Sequence, residues 1–378
     1  MTMCYSGRPA WAEVDLGILK ENIRAIQAAA QGKRVISVVK ADAYGHGMIP
    51  VAAAIRSCGV KDFAVAILNE ALELRQHDPD SSILVLGYTP GELAREAVAH
   101  DITITVYSLA QARPFSEEAV RQNCPVRLSV ALDTGMSRIG FSITEESGRE
   151  IGEITRLPMV IAEELFTHFS TADDADKTFS ELQLERYLRM KGWLDQAGVK
   201  FNHYHMANSA AIIDLPQAHF DSVRPGIIQY GYYPSDEVQK ERLPIRPVLS
   251  FYAALAMVKP LQAGTTVGYG NTWQAKRDSV IGTIPVGYAD GYNRLLSNKG
   301  KVLYRGLELP IVGRVCMDQF MVDLTDAPEA KEGDMVTLIG QDGAVSFWAD
   351  EMGRDLGTIS YEITCNIGKR VPRHYINE

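Results

Sequence analysis

Eight short β-rich runs alternate with helical patterns over the first two thirds of the chain, and this alternation leaves few possible folds. Strands that alternate with helices predict a parallel sheet with right-handed crossovers. Eight such units in about 230 residues predict a (β/α)8 barrel, with a doubly wound sheet as the alternative. The predicted strands are Val35–Lys40, Asp62–Ile67, Ser82–Gly87, Ile102–Val106, Val126–Leu132, Val160–Thr167, Asn202–Met206 and Ser222–Arg224.

In several of the segments outside these β-rich runs, apolar residues recur at the intervals expected of a helix. Leu16, Leu19, Ile23 and Ile26 occupy one helix face, and Asp15 is a plausible N-cap for that helix. The same reasoning predicts further helices over Asn69–Gln76, Glu92–Ala99 and Phe179–Ala197.

The pattern changes near Pro244, beyond which alternating runs and glycine-rich turns such as Asp342-Gly343 predict an all-β domain. We place the boundary within Tyr232–Pro244, which gives domains 1–240 and 241–378 and leaves open whether about the first ten residues pack with the second domain. The predicted β runs are Ile245–Leu261, Val280–Val286, Lys301–Tyr304, Leu309–Leu324 and Met335–Ile339.

Composition excludes several classes of protein. Lys and Arg total 38 against 47 Asp and Glu, and the resulting net charge of -9 argues against a nucleic-acid-binding protein. No apolar run reaches the length of about eighteen residues that a membrane span requires, and the N-terminus lacks the apolar segment of a secretory signal. The five cysteines are scattered without a CxxC pair, which indicates reduced thiols in a cytoplasmic protein and no metal site.

The segment VVKADAYGHG, from Val38 to Gly47, places a lysine at the end of an apolar strand. The carboxyl ends of barrel strands are where enzymes of this fold do their chemistry, and a desolvated Lys40 amine could form a Schiff base. A lysine that reaches back to solvent is the alternative.

A second signal follows the last two predicted barrel strands, in HMANSAA (His205 to Ala211) and VRPGIIQYG (Val223 to Gly231). Ser209 could begin a short helix, and Gly226 and Ile227 offer backbone N–H groups where this fold often binds phosphate. A Schiff-base lysine and a phosphate site together suggest pyridoxal phosphate. Ser209 as a plain N-cap and Gly226 as a plain turn remain the alternatives.

Nine motifs, in order and spread over both domains, together resemble the alanine racemase family. They are VVKADAYGHG, DTGMSRIGF (Asp133–Phe141), FTHFSTAD (Phe166–Asp173), HMANSAA, VRPGI, VGYGNTW (Val267–Trp273), VGYADGY (Val286–Tyr292), GRVCMDQ (Gly313–Gln319) and ISYEITC (Ile359–Cys365).

The resemblance implies that Lys40 holds pyridoxal phosphate through a Schiff base and then acts as one base. It also implies that Tyr269, from the β-domain of a partner subunit, is the second base on the opposite face, and that His168 tunes this phenol beside the cofactor. Without the family pattern, Tyr269 would be interpreted as a packed aromatic and His168 as a core histidine.

The other roles implied by the resemblance surround the cofactor. Arg224 would face the pyridine nitrogen and leave it unprotonated, since arginine keeps its own proton, and His205 would support Arg224. Arg138 would contact the phenolic oxygen of the cofactor and the substrate carboxylate. The implied phosphate contacts are Tyr44, Ser209, Gly226, Ile227 and Tyr361.

The resemblance also places Met317, flanked by Cys316 and Asp318, at the substrate pocket of the partner subunit. Residues implied for the access corridor, for which an ordinary solvated surface is the alternative, are Asp173, Tyr288, Arg294, Arg314 and Ile359.

The chain departs from the family at Ala131, where many members carry a lysine whose carbamate braces the arginine. Arg138 must therefore be braced by another acceptor, by an anion such as chloride, or by nothing.

The function implied by the resemblance is interconversion of L-alanine and D-alanine, which supplies D-alanine for peptidoglycan, by a homodimer with shared active sites. A serine racemase or a racemase of broader specificity is an alternative on the same scaffold. A related pyridoxal-phosphate decarboxylase is disfavoured because the chain has no GGG phosphate loop, and a non-catalytic cofactor-binding protein because such single-barrel proteins lack the second domain.

Overall fold

The computed structural model describes residues 8–378, which form two compact units. The barrel unit comprises Leu19–Ala43 and Met48–Arg246, and the β-unit comprises residues 8–18, Tyr44–Gly47 and Pro247–Glu378. The division between Arg246 and Pro247 lies a few residues beyond the predicted boundary segment.

Eight parallel strands form the closed barrel, as predicted. Each strand pairs with the next in sequence, and Ser222 of the last lies opposite Arg34 of the first, which closes the sheet. The barrel strands are Arg34–Val38, Asp62–Val65, Ser82–Val85, Thr103–Val106, Val126–Asp133, Val160–Phe166, His203–Ala207 and Ser222–Val223, and the short strand Phe141–Ser142 pairs with the fifth.

Helices connect these strands. The first begins as predicted, because Asp15 Oδ1 accepts a hydrogen bond from the Ile18 N–H at 2.9 Å, and its face Leu19, Ile23 and Ile26 is buried. The helices are Leu16–Ala29, Met48–Ser57, Leu68–His77, Ala94–Ala99, Leu109–Gln122, Glu145–Ile154, Thr178–Gln196 and Ser209–Asp214, with an additional left-handed turn at Lys40–Tyr44. None of the helices in the described part of the chain is long and apolar enough to span a membrane.

The β-unit is built on a mainly antiparallel sheet. Its strand Ala10–Asp15 pairs with Leu249–Ala254 and with Arg373–Ile376, so both ends of the described chain join this sheet. The remaining strands are Met257–Leu261, Thr266–Val267, Trp273–Gln274, Ser279–Ile284, Lys301–Tyr304, Leu307–Val312, Phe320–Asp323, Met335–Asp342 and Val345–Phe347, and the helices are Ala349–Leu356 and Ser360–Asn366.

Two predicted β runs are wrong as continuous strands. Ile245–Leu261 is broken between Ala254 and Met257, and Leu309–Leu324 is interrupted after Val312. Gly313 ends that strand with a φ of 75°, and the chain runs through a loop before it re-enters the sheet at Phe320. This loop carries Cys316, Met317 and Asp318.

Candidate active site

Lys40 follows the first barrel strand, and the barrel unit fixes the end of that strand from across the barrel. The carbonyl of Val38 accepts hydrogen bonds from Gln229 Nε2 at 2.7 Å and from the Tyr230 hydroxyl at 3.0 Å. Gln229 is fully buried, and its amide oxygen accepts a hydrogen bond from Ser37 Oγ at 2.8 Å. The backbone before Lys40 is therefore held by buried partners about 190 residues away in sequence.

The residues after Lys40 form a left-handed turn that contains no glycine. From Ala41 to Tyr44, φ lies between 52° and 54°. Such a conformation costs roughly 1–2 kcal/mol for each non-glycine residue. The Ala41 N–H donates to Glu70 Oε1, and Asp42 Oδ1 accepts from the N–H of Met48, both at 2.7 Å. Backbone strain that is held by such contacts is typical of functional sites.

Arg224, just beyond the eighth strand, is buried and donates to several groups. Its guanidinium donates to His205 Nδ1 and, at 2.7 Å, to the carbonyl of Thr167, and it lies 3.2 Å from His168 Nδ1. Burial lowers the pKa of Arg224 to about 10, and the Glu164 carboxylate opposes this shift. Arg224 therefore stays protonated near neutral pH.

A buried chain of polar groups continues below Arg224. A guanidinium only donates, so His205 Nδ1 must be the acceptor and the neutral ring carries its proton on Nε2. That nitrogen lies 3.4 Å from Glu164 Oε2, a long distance for a hydrogen bond, so the attraction is mainly electrostatic. The other carboxylate oxygen, Glu164 Oε1, lies 3.2 Å from the guanidinium of Arg34.

These surroundings determine the charge states of the chain. Burial lowers the pKa of His205 to about 4. Burial opposes ionisation of Glu164, but His205 and Arg34 outweigh it and lower the pKa of this carboxyl to about 2. Arg224 and Arg34 are thus cations, His205 is neutral, and Glu164 is the anion between them.

His168, which follows the sixth strand, lies among cations. Loss of solvent and then the charges of Arg224, Arg138 and Lys40 lower its pKa well below the ordinary value. Within residues 8–378, Arg138 makes no hydrogen bond or ion pair. Three cations around a neutral imidazole are suited to an anionic ligand.

The predicted phosphate segment is brought together at the ends of the last two barrel strands. The Gly226 N–H donates to Ser209 Oγ at 2.9 Å, and a 3₁₀ turn begins at Ile227. The N-cap of the short helix is Asn208, whose Oδ1 accepts from the Ala211 N–H, so Ser209 is not the cap. The Ser209 hydroxyl and the Gly226 N–H therefore lie side by side, at the strand ends where this fold often binds phosphate.

Tyr269 lies in the β-unit, between two glycines with φ of 75° and 74°. Its side chain is 72 % exposed, and it lines a pocket of about 520 Å³ together with Cys316. Met317, in the neighbouring loop, is 54 % exposed. The phenol and the thioether thus point away from the core of their own unit.

The remaining predicted residues divide between the units. In the β-unit the rings of Tyr44 and Tyr361 are 5.9 Å apart, and burial raises the pKa of Tyr44. Burial also raises the pKa of Cys316, against the opposing charge of Arg294. Asp318 binds Arg370 at 2.7 Å.

The predicted corridor residues of the β-unit are Tyr288, Arg294, Arg314 and Ile359, of which Tyr288 and Ile359 are exposed apolar side chains. Asp173 belongs to the barrel unit, where its carbonyl accepts from Ser235 Oγ at 2.6 Å and partial burial raises the pKa of its carboxyl.

Sequence reasoning missed Glu164, Gln229 and Asp290. Each is fully or almost fully buried within or beside an apolar run. A charged or amide side chain in such a run is a usable signal, since buried polar groups need partners.

Comparison with known proteins assigns both units. The model "Alanine racemase, N-terminal domain" matches residues 14–234, and "Alanine racemase, C-terminal domain" matches residues 248–375. An alanine racemase of Clostridium tetani is 45% identical over 98% of this chain and 96% of that protein. An alanine racemase of Methanococcus maripaludis is 42% identical over 98% of this chain and 99% of that protein.

Solved structures agree with this assignment. The alanine racemase of Clostridium difficile superposes with a TM-score of 0.94 at 40% identity, over 99% of this chain and 98% of that one. The biosynthetic alanine racemase of Pseudomonas aeruginosa gives a TM-score of 0.86 at 35% identity, over 97% of this chain and 99% of that one.

Proposed function

Since the chain belongs to the alanine racemase family and interconverts L-alanine and D-alanine, we propose that Lys40 and Tyr269 carry the proton in this reaction. The family uses pyridoxal phosphate, which supplies the electron sink that makes the α-hydrogen of the amino acid acidic. The observation that carries the proposal is the position of Lys40 at the end of the first barrel strand, with Arg224 3.2 Å from His168 and the charges of Lys40 and Arg138 acting on the same imidazole.

These groups fit the cofactor on chemical grounds. Pyridoxal phosphate is anionic at its phosphate and its phenolic oxygen, and the charges of Arg224, Arg138 and Lys40, which act on His168, would complement it. Ser209, Gly226 and Ile227 would hold the phosphate, with Tyr44 and Tyr361 as further contacts. Lys40 would make the covalent link to the cofactor.

Arg224 would sit against the pyridine nitrogen. Its pKa of about 10 keeps the guanidinium protonated, so it would donate a hydrogen bond to that nitrogen and would leave it without a proton of its own. His205 accepts from Arg224 and fixes its orientation. By leaving that nitrogen without a proton, Arg224 would weaken the electron sink that the cofactor supplies and would thereby limit transamination.

Racemisation needs proton carriers on both faces of the reacting carbon. Lys40 serves one face, and the partner subunit's Tyr269 would serve the other in a homodimer with shared sites. Exposed apolar side chains in each unit support such a dimer: Ile67 and Tyr88 lie shortly after barrel strands, and Tyr269 and Met317 are exposed in the β-unit. In the dimer Met317 would line the substrate pocket, and Asp173, Tyr288, Arg294, Arg314 and Ile359 its access corridor.

We propose that the enzyme supplies D-alanine for peptidoglycan in the cytoplasm, consistent with five cysteines that are scattered along the sequence without a CxxC pair.

Subunit mixing tests the shared site. Lys40→Ala and Tyr269→Ala homodimers should each be inactive. After exchange at equal amounts, half of the dimers are hybrids with one intact site of two, so about a quarter of the wild-type activity should return. Each variant alone, taken through the same exchange procedure, is the control. No recovery, with subunit exchange verified by a tag on one variant, would contradict the proposal.

A further inference from the structure

A tight turn in the β-unit holds the peptide that joins Cys316 to Met317. The N–H of Tyr288 donates to the carbonyl of Cys316, and the N–H of Ala289 donates to the carbonyl of Met317, both at 3.0 Å. Two consecutive carbonyls of the loop are thus fixed by two consecutive N–H groups of the turn.

This anchoring sets the direction of the Met317 N–H. In a planar trans peptide, the N–H points opposite to the carbonyl of the same peptide. The Cys316 carbonyl faces the turn, so the Met317 N–H points away from it, and this N–H donates to no acceptor within residues 8–378. Since the Met317 side chain is largely exposed, the loop presents an outward hydrogen-bond donor that suits the carboxylate of an amino acid.

The turn depends on Gly287 for steric reasons. A Cβ at this position would lie 2.3 Å from the carbonyl oxygens of both Cys316 and Met317. The φ of Gly287 is −153°, an ordinary extended value, so close approach to the loop is what requires glycine here.

The carboxylate of Asp290 connects the turn to the loop. Its carboxylate is fully buried; Oδ2 accepts from the Gly287 N–H at 2.9 Å, and Oδ1 pairs with Arg8 and, at 3.4 Å, with Arg370. Both arginines also bind Asp318 at the far side of the loop, through its carbonyl at 3.2 Å and its carboxylate at 2.7 Å. The buried Asp290 carboxylate is therefore linked to the turn directly, through Gly287, and to the loop indirectly, through the two arginines that bind Asp318.

We propose that Asp290 is a positioning residue for racemisation: through the turn that begins at Gly287, it aims the Met317 N–H at the carboxylate of the substrate bound to the partner subunit. This inference rests on the proposed shared site. Asp290 touches neither substrate nor cofactor and acts only through the loop.

Asp290→Asn in the full-length holoenzyme tests the proposal. We expect the KM for L-alanine to rise about tenfold, equivalent to about 1.4 kcal/mol, with kcat changed by less than about twofold. The inhibition constant of propionate, which carries the carboxylate but no amine, should rise by the same factor. The absorbance of bound cofactor should stay unchanged.

Asp334→Asn is the matched control, because Asp334 is a half-buried carboxylate of the same unit that accepts from the Tyr304 hydroxyl at 2.8 Å, with Arg305 at 3.8 Å. It should lower the melting temperature without raising the KM or the propionate constant. A KM and a propionate constant for Asp290→Asn within twofold of the wild type, or equal changes in the control, would overturn the inference.

If Asp290→Asn does not fold, Arg370→Gln is the variant to test, since it removes one arginine and leaves Arg8 paired with Asp290. A rise of the KM for L-alanine and of the propionate inhibition constant that is smaller than tenfold supports the inference. Unchanged values of both constants refute it. Failure of the shared site itself would be seen separately, as a lack of recovery on subunit mixing.

Discussion

Replacing Glu164 by glutamine tests the buried chain that supports Arg224. The two side chains have nearly the same shape, so the change removes the anion and keeps the packing. It leaves the guanidinium of Arg34 without the carboxylate that lies 3.2 Å away, and it removes the negative charge that helps to keep Arg224 protonated.

Two estimates, which share the interaction with Arg34, give the size of the effect. Unit charges 3.2 Å apart attract by about 5 kcal/mol at an effective dielectric constant of 20. The fall in the Glu164 pKa from 4.5 to about 2 corresponds to about 3 kcal/mol at 1.4 kcal/mol per pKa unit. We therefore expect Glu164→Gln to lower the free energy of unfolding at pH 7 by about 3–5 kcal/mol.

The pH dependence of this loss has a definite sign. Because folding depresses the pKa of Glu164, its contribution is complete above pH 4.5 and is lost as the pH falls toward 2. The gap between wild type and variant should therefore narrow on acidification. His205 loses its own contribution as the pH falls from 6.5 toward 4 in both proteins, although only the wild type has the Glu164 charge that raises the pKa of His205 against burial.

Urea denaturation followed by tryptophan fluorescence, between pH 7 and pH 3.5, measures this gap. Glu163→Gln is the matched control on the same strand: Glu163 pairs at 2.8 Å with Arg127, whose side chain is 37% exposed, so about 1 kcal/mol is expected. A Glu164→Gln loss below about 1 kcal/mol, equal losses in the two variants, or a gap that does not change with pH would refute the reasoning.

Two further predictions concern the neighbourhoods of Lys40 and Arg138. Gly45→Ala should lower the free energy of unfolding by more than about 2 kcal/mol, because the φ of Gly45 is +82° and the new Cβ would lie 2.2 Å from the Thr364 carbonyl oxygen. Urea denaturation measures this loss, and an unchanged unfolding midpoint would contradict the prediction. Chloride should lower the KM for alanine in the wild type, where Ala131 provides no brace for Arg138. The Ala131→Lys variant should lose this dependence. Steady-state kinetics measure the KM with and without chloride, and a KM that chloride leaves unchanged in both proteins would contradict the prediction.

The barrel could be predicted from sequence because its strands are buried runs of apolar residues separated by helical spacing. All eight were located, with bounds that differ by a few residues. The first, predicted as Val35–Lys40, runs from Arg34 to Val38, because apolar character alone does not mark the last residue of a strand. The break between Ala254 and Met257 could not be predicted, because the residues on both sides of it are apolar and no glycine or proline marks a turn there.

The candidate site likewise contains residues that local sequence patterns reveal and residues that they do not. Lys40, Ser209 and Gly226 follow from the ends of strands, which local patterns reveal. The partners of Gln229 and Glu164 do not, because they lie 192 and 130 residues away in sequence and only closure of the barrel brings them together. The roles of Tyr269 and Met317 came only from family resemblance, since nothing in their local pattern indicates a second subunit.

Exchange of the α-hydrogen with solvent deuterium tests the two-carrier reaction most directly. Tyr269→Phe keeps Lys40 and removes the proton carrier of the opposite face, so in D₂O it should exchange the α-hydrogen of only one alanine enantiomer and should not racemise it at an appreciable rate. Proton NMR with chiral analysis separates the two events. Exchange of both enantiomers at similar rates, or racemisation at the wild-type rate, would contradict a lysine and a phenol acting from opposite faces.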